Sequence, residues 1–141
     1  PLIQNRELMG VSLKDQIEIR ADAVILASGR FMSGGIVWDS HCREPLFGLS
    51  VVTEHGLLEA DSPHPVVRRS PLEAHPLMTA GIQVDDALRP IHEGKPLHRN
   101  LFAAGMVIGG FASRYALCAD GVALCTGYFA GVGAAEEAAL R

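Results

Sequence analysis

Positive charge is in short supply. Twelve Lys and Arg residues stand against 16 Asp and Glu, a net charge of −4. That balance argues against a nucleic-acid partner gripped through a basic surface. Cysteine is rarer still. Cys42, Cys118 and Cys125 are odd in number and widely spaced, so they imply no disulfide framework. Reduced thiols in a cytoplasmic protein are the simplest reading. No two histidines stand at i, i+4 and no Cys-x-x-Cys occurs. His41 beside Cys42, and the pair His64 and His75, invite a metal reading, but without such spacing no metal site is expected, and His55, His92 and His98 are read as loop residues. No apolar run reaches the length that spans a bilayer. Charged residues follow Pro1–Gln4 at once, so no signal peptide opens the chain, and the absent initiator Met reads as a cut through a larger protein. Aromatic residues make up only 6% of the chain.

What is present is apolar and rich in glycine. Of 141 residues 48% are hydrophobic and 20% charged, which suits a folded domain with its own core. Fifteen glycines with few aromatics suit backbone packed closely on backbone or ligand.

Three stretches differ in pattern. Residues 1–30 read as β: Glu7–Leu13 alternates loosely, Lys14 and Asp15 make a polar turn, and Gln16–Arg20 alternates strictly, as a half-buried strand does. Val24–Ala27 is a continuous apolar run before Gly29, the pattern of a strand buried on both faces of a parallel sheet. Residues 31–97 form a smaller, irregular, strand-rich region. Six of the eight prolines lie between Pro63 and Pro96, and Pro63-His64-Pro65 breaks any helix. Leu49–Val52 and Ile82–Val84 are its strand candidates. Residues 98–141 return to order. Asn100–Ala104 reads as a strand ending in Gly105, Met106–Gly110 as a glycine turn, and Leu117–Leu140 as one helix. On that helix Val122, Leu124 or Cys125, Phe129 and Val132 are candidate core positions. Cys118 and Cys125 read as buried small hydrophobes. Gly127 and Gly131 share a face suited to lying against a sheet or ligand, and Asp120 is a candidate cap. The fold class expected is α/β, with a smaller irregular β or α+β region.

The candidate chemistry joins two distant pieces, Ala23–Gly29 and Asn100–Gly110. Each is a strand ending in glycine, where a ligand can approach the backbone. Ligands of open α/β sheets bind at that edge. The helix that follows would direct free N–H groups at a phosphate. Arg30 and Arg43 carry guanidinium groups able to take an oxyanion in a bidentate way, with a surface or salt-bridge role as the alternative. No Ser-His-Asp arrangement is evident, and no general base can be named.

These two pieces resemble the second and last signatures of the two-dinucleotide-binding-domain flavoproteins. Within that superfamily the chain is most similar to the family of the B-type subunit of anaerobic glycerol-3-phosphate dehydrogenase. The similarity is carried by Leu26–Gly35, Arg43–Leu49 and Asn100–Phe111, and it covers the C-terminal part of such a protein. It implies a partial FAD/NAD(P)-binding-like sheet and a flavin, FMN or FAD. The implied cofactor contacts are Ser28, Gly29, Gly105, Met106, Val107, Gly109 and Gly110, with backbone N–H groups near Val107–Gly110 facing a reduced, anionic flavin. Arg30 and Arg43 are the substrate-binding candidates. The implied reaction oxidises sn-glycerol 3-phosphate to dihydroxyacetone phosphate. Electrons would pass through the flavin towards the quinone pool, by way of other subunits of a dehydrogenase complex, one of them membrane-associated. Cytoplasmic placement, peripheral on the inner membrane face, follows.

Two departures accompany the resemblance. The family's Gly-x-Gly-x-x-Gly turn is absent. Met106 stands where the family has an acidic residue, and a thioether cannot accept a ribityl hydroxyl bond as a carboxylate would. Flavin binding by these 141 residues alone is therefore expected to be weak or absent. Two alternatives remain: a non-catalytic assembly domain docking on a catalytic partner, and an FAD oxidoreductase acting on another substrate. A truncated flavoprotein also leaves apolar surface uncovered, so a homodimer of this chain is expected.

Overall fold

Leu2–Gln4 (β1), Glu7–Ser12 (β2) and Glu18–Arg20 (β3) form an antiparallel three-stranded sheet in that order. This computed structural model describes residues 1–4, 7–14, 16–58, 67–70, 72–112 and 118–140. Asp15, Pro63, His64, Pro65 and Leu117, singled out above, lie outside them. Alternation in β2 buries Leu8 and leaves Glu7 in solvent. The stricter alternation of Gln16–Arg20 buries nothing: Ile17 is 55% exposed and Ile19 47%. The half-buried strand expected there has no partner layer on either face among the described residues.

Val24–Leu26 (β4) runs parallel to Leu101–Ala103, the last strand (β12 in chain order), with Val24 opposite Leu101 and Leu26 opposite Ala103. Burial on both faces was expected of β4. Leu26 is buried, but Ile25 points the other way and is 39% exposed. Between the two strands lie Val37–Trp38 (β5), Cys42–Glu44 (β6), Leu49–Thr53 (β7), Gly56–Leu57 (β8), Gly81–Ile82 (β9), and the hairpin Ile91–His92 (β10) and Lys95–Pro96 (β11). Strands β5 to β8 pair in sequence, and β9 joins β7. The two strand candidates of this region pair with each other, Val51 opposite Ile82.

The three stretches share one core. Leu8 from β2, Leu26 from β4, Leu49 from β7, Ile82 from β9 and Leu101 from β12 meet in a single cluster. Buried Asn100 reinforces it, its side-chain amide donating to the carbonyls of Leu8 and Asp22, each at 2.7 Å.

The C-terminal helix (α1) spans Ala119–Ala139. It meets the parallel pair through its smallest residues. Ala130 is fully buried with Phe102 and Ala104, and Gly133 lies so close to the Phe102 ring that a Cβ there would stand 2.7 Å from Cε1. The large residues expected in the core face outward: Leu124 is 75% exposed, Phe129 63% and Val132 39%, while Val122 is half-buried. Cys125 is exposed as well. The reason is proximity, since a helix seated this close to an aromatic ring has no room for Leu or Phe at the contact. Gly127 and Gly131 touch nothing within 4 Å of where a Cβ would be, so Gly133 takes the close-packing role foreseen for them. The N-cap residue is Cys118, and Asp120 sits exposed in the first turn without capping. No helix among the described residues is long and apolar enough to cross a membrane.

Candidate functional site

Because β4 and β12 are parallel, their carboxyl ends emerge side by side. Gly29 leaves β4 at φ +76° and Gly105 leaves β12 at φ +72°, both in the left-handed region that glycine enters without a side-chain penalty. A second link anchors the Gly105 turn. The Gly105 N–H donates to Thr126 Oγ1 at 2.8 Å, and that hydroxyl donates to the Val122 carbonyl at 2.5 Å. Thr126 was not singled out from the sequence. A threonine amid the Ala, Gly and apolar residues of 121–135 was its only signal, since such a hydroxyl can bond back to the i−4 carbonyl.

Beyond Gly105 the chain makes a tight turn over Gly105–Val107. The N–H groups expected to face an anionic ring are engaged elsewhere: Ile108 donates to Gly105, Gly109 to Ile82 at 3.0 Å and Gly110 to Thr79 at 2.9 Å. Val107 is fully buried in the main core. Gly109 packs on the backbone of Gly81, where a Cβ on either residue would strike the other chain segment. The close approach at Gly109 is backbone on backbone.

Arg30 also departs from its expected role. Its Nε donates to the Met106 carbonyl at 2.8 Å, Nη1 to the Met78 carbonyl, and Nη2 to the carbonyls of Phe111 at 3.0 Å and Ile108 at 3.3 Å. The guanidinium carbon lies 4.8 Å from the centre of the Phe111 ring. The group is thus a clamp joining three chain segments rather than a free oxyanion fork. Burial pulls its pKa below the ordinary arginine value. Arg43 lies on β6 and pairs with Asp39 at 2.6 Å. That hydrogen bond holds the Asp39 carboxyl down at about 2.

The expected contact residues divide between two hollows. Gly29, Arg30 and Met106 line a cleft of about 500 Å³ with Phe31, Leu77 and Met78. Gly109 and Gly110 line a separate groove of about 610 Å³ against β7 and β9. Beside the first cleft, at the end of β4, Ser28 Oγ is buried without a hydrogen-bond partner. An unsatisfied buried hydroxyl costs on the order of 1–3 kcal/mol, and no bonded partner offsets that cost at Ser28. The cleft's walls are mainly apolar, and Gly29 lines it in a left-handed conformation. No group of three or more His, Cys, Asp or Glu side chains able to hold a metal occurs among the described residues.

The pattern of the FAD binding domain family matches residues 6–122. This chain belongs to that family. It is 30% identical over 113 residues to the B-type subunit of anaerobic glycerol-3-phosphate dehydrogenase of Vibrio cholerae serotype O1, covering 79% of this chain and 25% of the relative. It is 33% identical over 118 residues to the probable counterpart of that subunit in Halobacterium salinarum, covering 82% and 26%. The same subunit of Pasteurella multocida is 32% identical over 115 residues, covering 81% and 26%. The chain spans about a quarter of the length of these curated relatives. No solved structure matches. The resemblance read from Leu26–Gly35, Arg43–Leu49 and Asn100–Phe111 therefore stands, and the paired ends of β4 and β12 lie within the matched part of an FAD binding domain.

Proposed function

We propose that the cleft at the ends of β4 and β12 receives the ring of a flavin, FMN or FAD, in a dehydrogenase acting on sn-glycerol 3-phosphate. The observation that carries this reading is the meeting of Gly29, Arg30 and Met106 around one apolar cleft, next to the unpartnered Ser28 hydroxyl. A bound flavin supplies hydride acceptance and one-electron release. The chain's own residues do the rest. Gly29 turns the chain at the cleft's edge, and Phe31, Leu77, Met78 and Met106 supply apolar walls for the ring. Met106 in place of a carboxylate leaves the ribityl chain, which FMN and FAD share, without that acceptor. In this reading the product is dihydroxyacetone phosphate, and electrons leave towards the quinone pool through partner subunits, one membrane-associated, that hold the complex on the inner membrane face. Arg43, neutralised by Asp39, is not assigned to the substrate.

The test is the visible spectrum of the complete gene product, before and after gel filtration with FMN and then FAD. Flavin bands that co-elute with the protein support the reading, and a colourless protein after both overturns it. The 141 residues alone should bind weakly or not at all. A second reading, an assembly domain without chemistry of its own, is favoured by the uncovered outer face of α1. In that reading the chain docks on a catalytic partner. Separately, the uncovered apolar surface predicts dimers of this chain in light scattering, and a strictly monomeric particle counts against that dimer.

A further inference from the structure

We infer that Arg30 is a positioning residue that gives the cleft a fixed positive charge, favouring the reduced, anionic form of a bound flavin over the oxidised form. This rests on the flavin reading above.

The argument starts from the donors. A guanidinium has five N–H groups in a rigid fork. Those of Arg30 reach four carbonyls on Met78, Met106, Ile108 and Phe111, with the Phe111 ring stacked beneath. The fork cannot swing out to grip an oxyanion without releasing these bonds. Its role is therefore not a direct bidentate contact. The carbonyls are neutral, however, so they hold the charge in place without cancelling it.

Nor is the charge cancelled by an acid. Arg43, Arg89 and Arg99 pair with Asp39, Asp85 and Glu137. Arg30 has no carboxylate partner among the described residues. Met106, where the resembling flavoproteins have an acidic residue, contributes only a thioether to the cleft wall. The surroundings extend the reach of the charge. Phe31, Leu77, Met78 and Met106 are apolar, and a charge facing such walls is screened less than one facing water. A charge already fixed by four bonds requires no reorganisation when negative charge develops nearby.

The test is the flavin midpoint potential of the complete gene product, by dye-equilibrated titration, in the wild type and three variants. Arg30→Gln keeps donors and loses the charge. It should weaken binding of the reduced flavin relative to the oxidised by tenfold or more, a fall of about 30 mV for a two-electron couple. Arg30→Lys keeps the charge and should stay near the wild-type midpoint. Met106→Glu leaves the backbone clamp intact, sets a carboxylate beside the cation and should also lower the midpoint. An unchanged midpoint in flavin-loaded Arg30→Gln overturns the inference. So does an Arg30→Lys shift as large as that of Arg30→Gln, because shape rather than charge would then set the potential. If Arg30→Gln does not fold, Met106→Glu decides, and an unchanged midpoint there refutes the proposal. A wild-type protein that binds no flavin overturns the flavin reading itself, a result distinct from loaded variants with an unmoved potential.

Discussion

Glu44 shows how a single buried charge can be a building element. It is fully buried on β6, and its two carboxylate oxygens accept the N–H groups of Leu46 and Phe47, each at 2.8 Å. The side chain folds the β6–β7 connection around itself and supplies acceptors to backbone groups that would otherwise be orphaned. Glu44→Ala should destabilise the fold by about 2–3 kcal/mol, read by chemical denaturation, because hydrogen bonds to a charged acceptor are the stronger kind. Asp39 is the exposed counterpart. Its carboxyl is lowered from 3.8 to about 2, chiefly by the Arg43 hydrogen bond. A depressed acid stabilises the folded state above its unfolded value, and that contribution is lost as pH falls through the folded value. The window is thus from about 4 down to about 2. In Arg43→Ala an NMR titration should find the Asp39 carboxyl moved back up towards 3.8. Neither role was readable beforehand. Glu44 is an unremarkable acid before Pro45, and the Asp39–Arg43 pair depends on the bend that brings β5 and β6 together.

At the scale of elements, α1 is held by few but specific contacts. Thr126 joins it to the turn after β12 through the Gly105 N–H. Thr126→Val keeps the volume and removes the acceptor. It should cost about 1 kcal/mol and speed hydrogen exchange at the Gly105 amide, while amides of β2 and β3 keep their rates. The open glycines act in the opposite direction. Gly127 and Gly131 meet nothing within 4 Å, so alanine at each should stabilise the chain by up to about 1 kcal/mol, read as a higher melting temperature. Gly81 and Gly109 differ, because a Cβ at either runs into backbone. Alternation and apolar runs identified β2, β4, β7 and β12 well, since a strand's side-chain period is local. They failed for Gln16–Arg20, where the pattern was right but no layer covers it.

For the whole molecule, one core draws buried residues from all three sequence stretches, Leu49 and Ile82 among them from the irregular middle. The outer face of α1 is the exception. Leu124, Tyr128, Phe129 and Leu140 are 63–75% exposed, and Tyr128 meets Phe129 edge-on with ring centres 5.4 Å apart. A helix apolar on every side is normally covered on every side. Replacing Leu124 and Tyr128 together with Lys should reduce binding of a hydrophobic dye by the 141-residue chain and leave its melting temperature nearly unchanged. A large loss of stability would mean that these side chains support the fold after all.

The amino-acid order by itself indicated β2, β4, β7 and β12, the glycine turns at Gly29 and Gly105, one C-terminal helix within 117–140 and the flavoprotein kinship. Each rests on local rules: periodicity, freedom at positive φ, and short motifs. Only the tertiary structure decided which face of α1 packs inward, and that Gly109 packs on the backbone of Gly81. It alone directed the Arg30 donors to carbonyls 48 to 81 residues away. The reason is that a side chain's type limits what it can bond, whereas its partner is set by how distant segments dock. Arg30 was visible as a cation in the sequence, but the carbonyls that hold it face one another only after β4, β9 and β12 have closed over the same core.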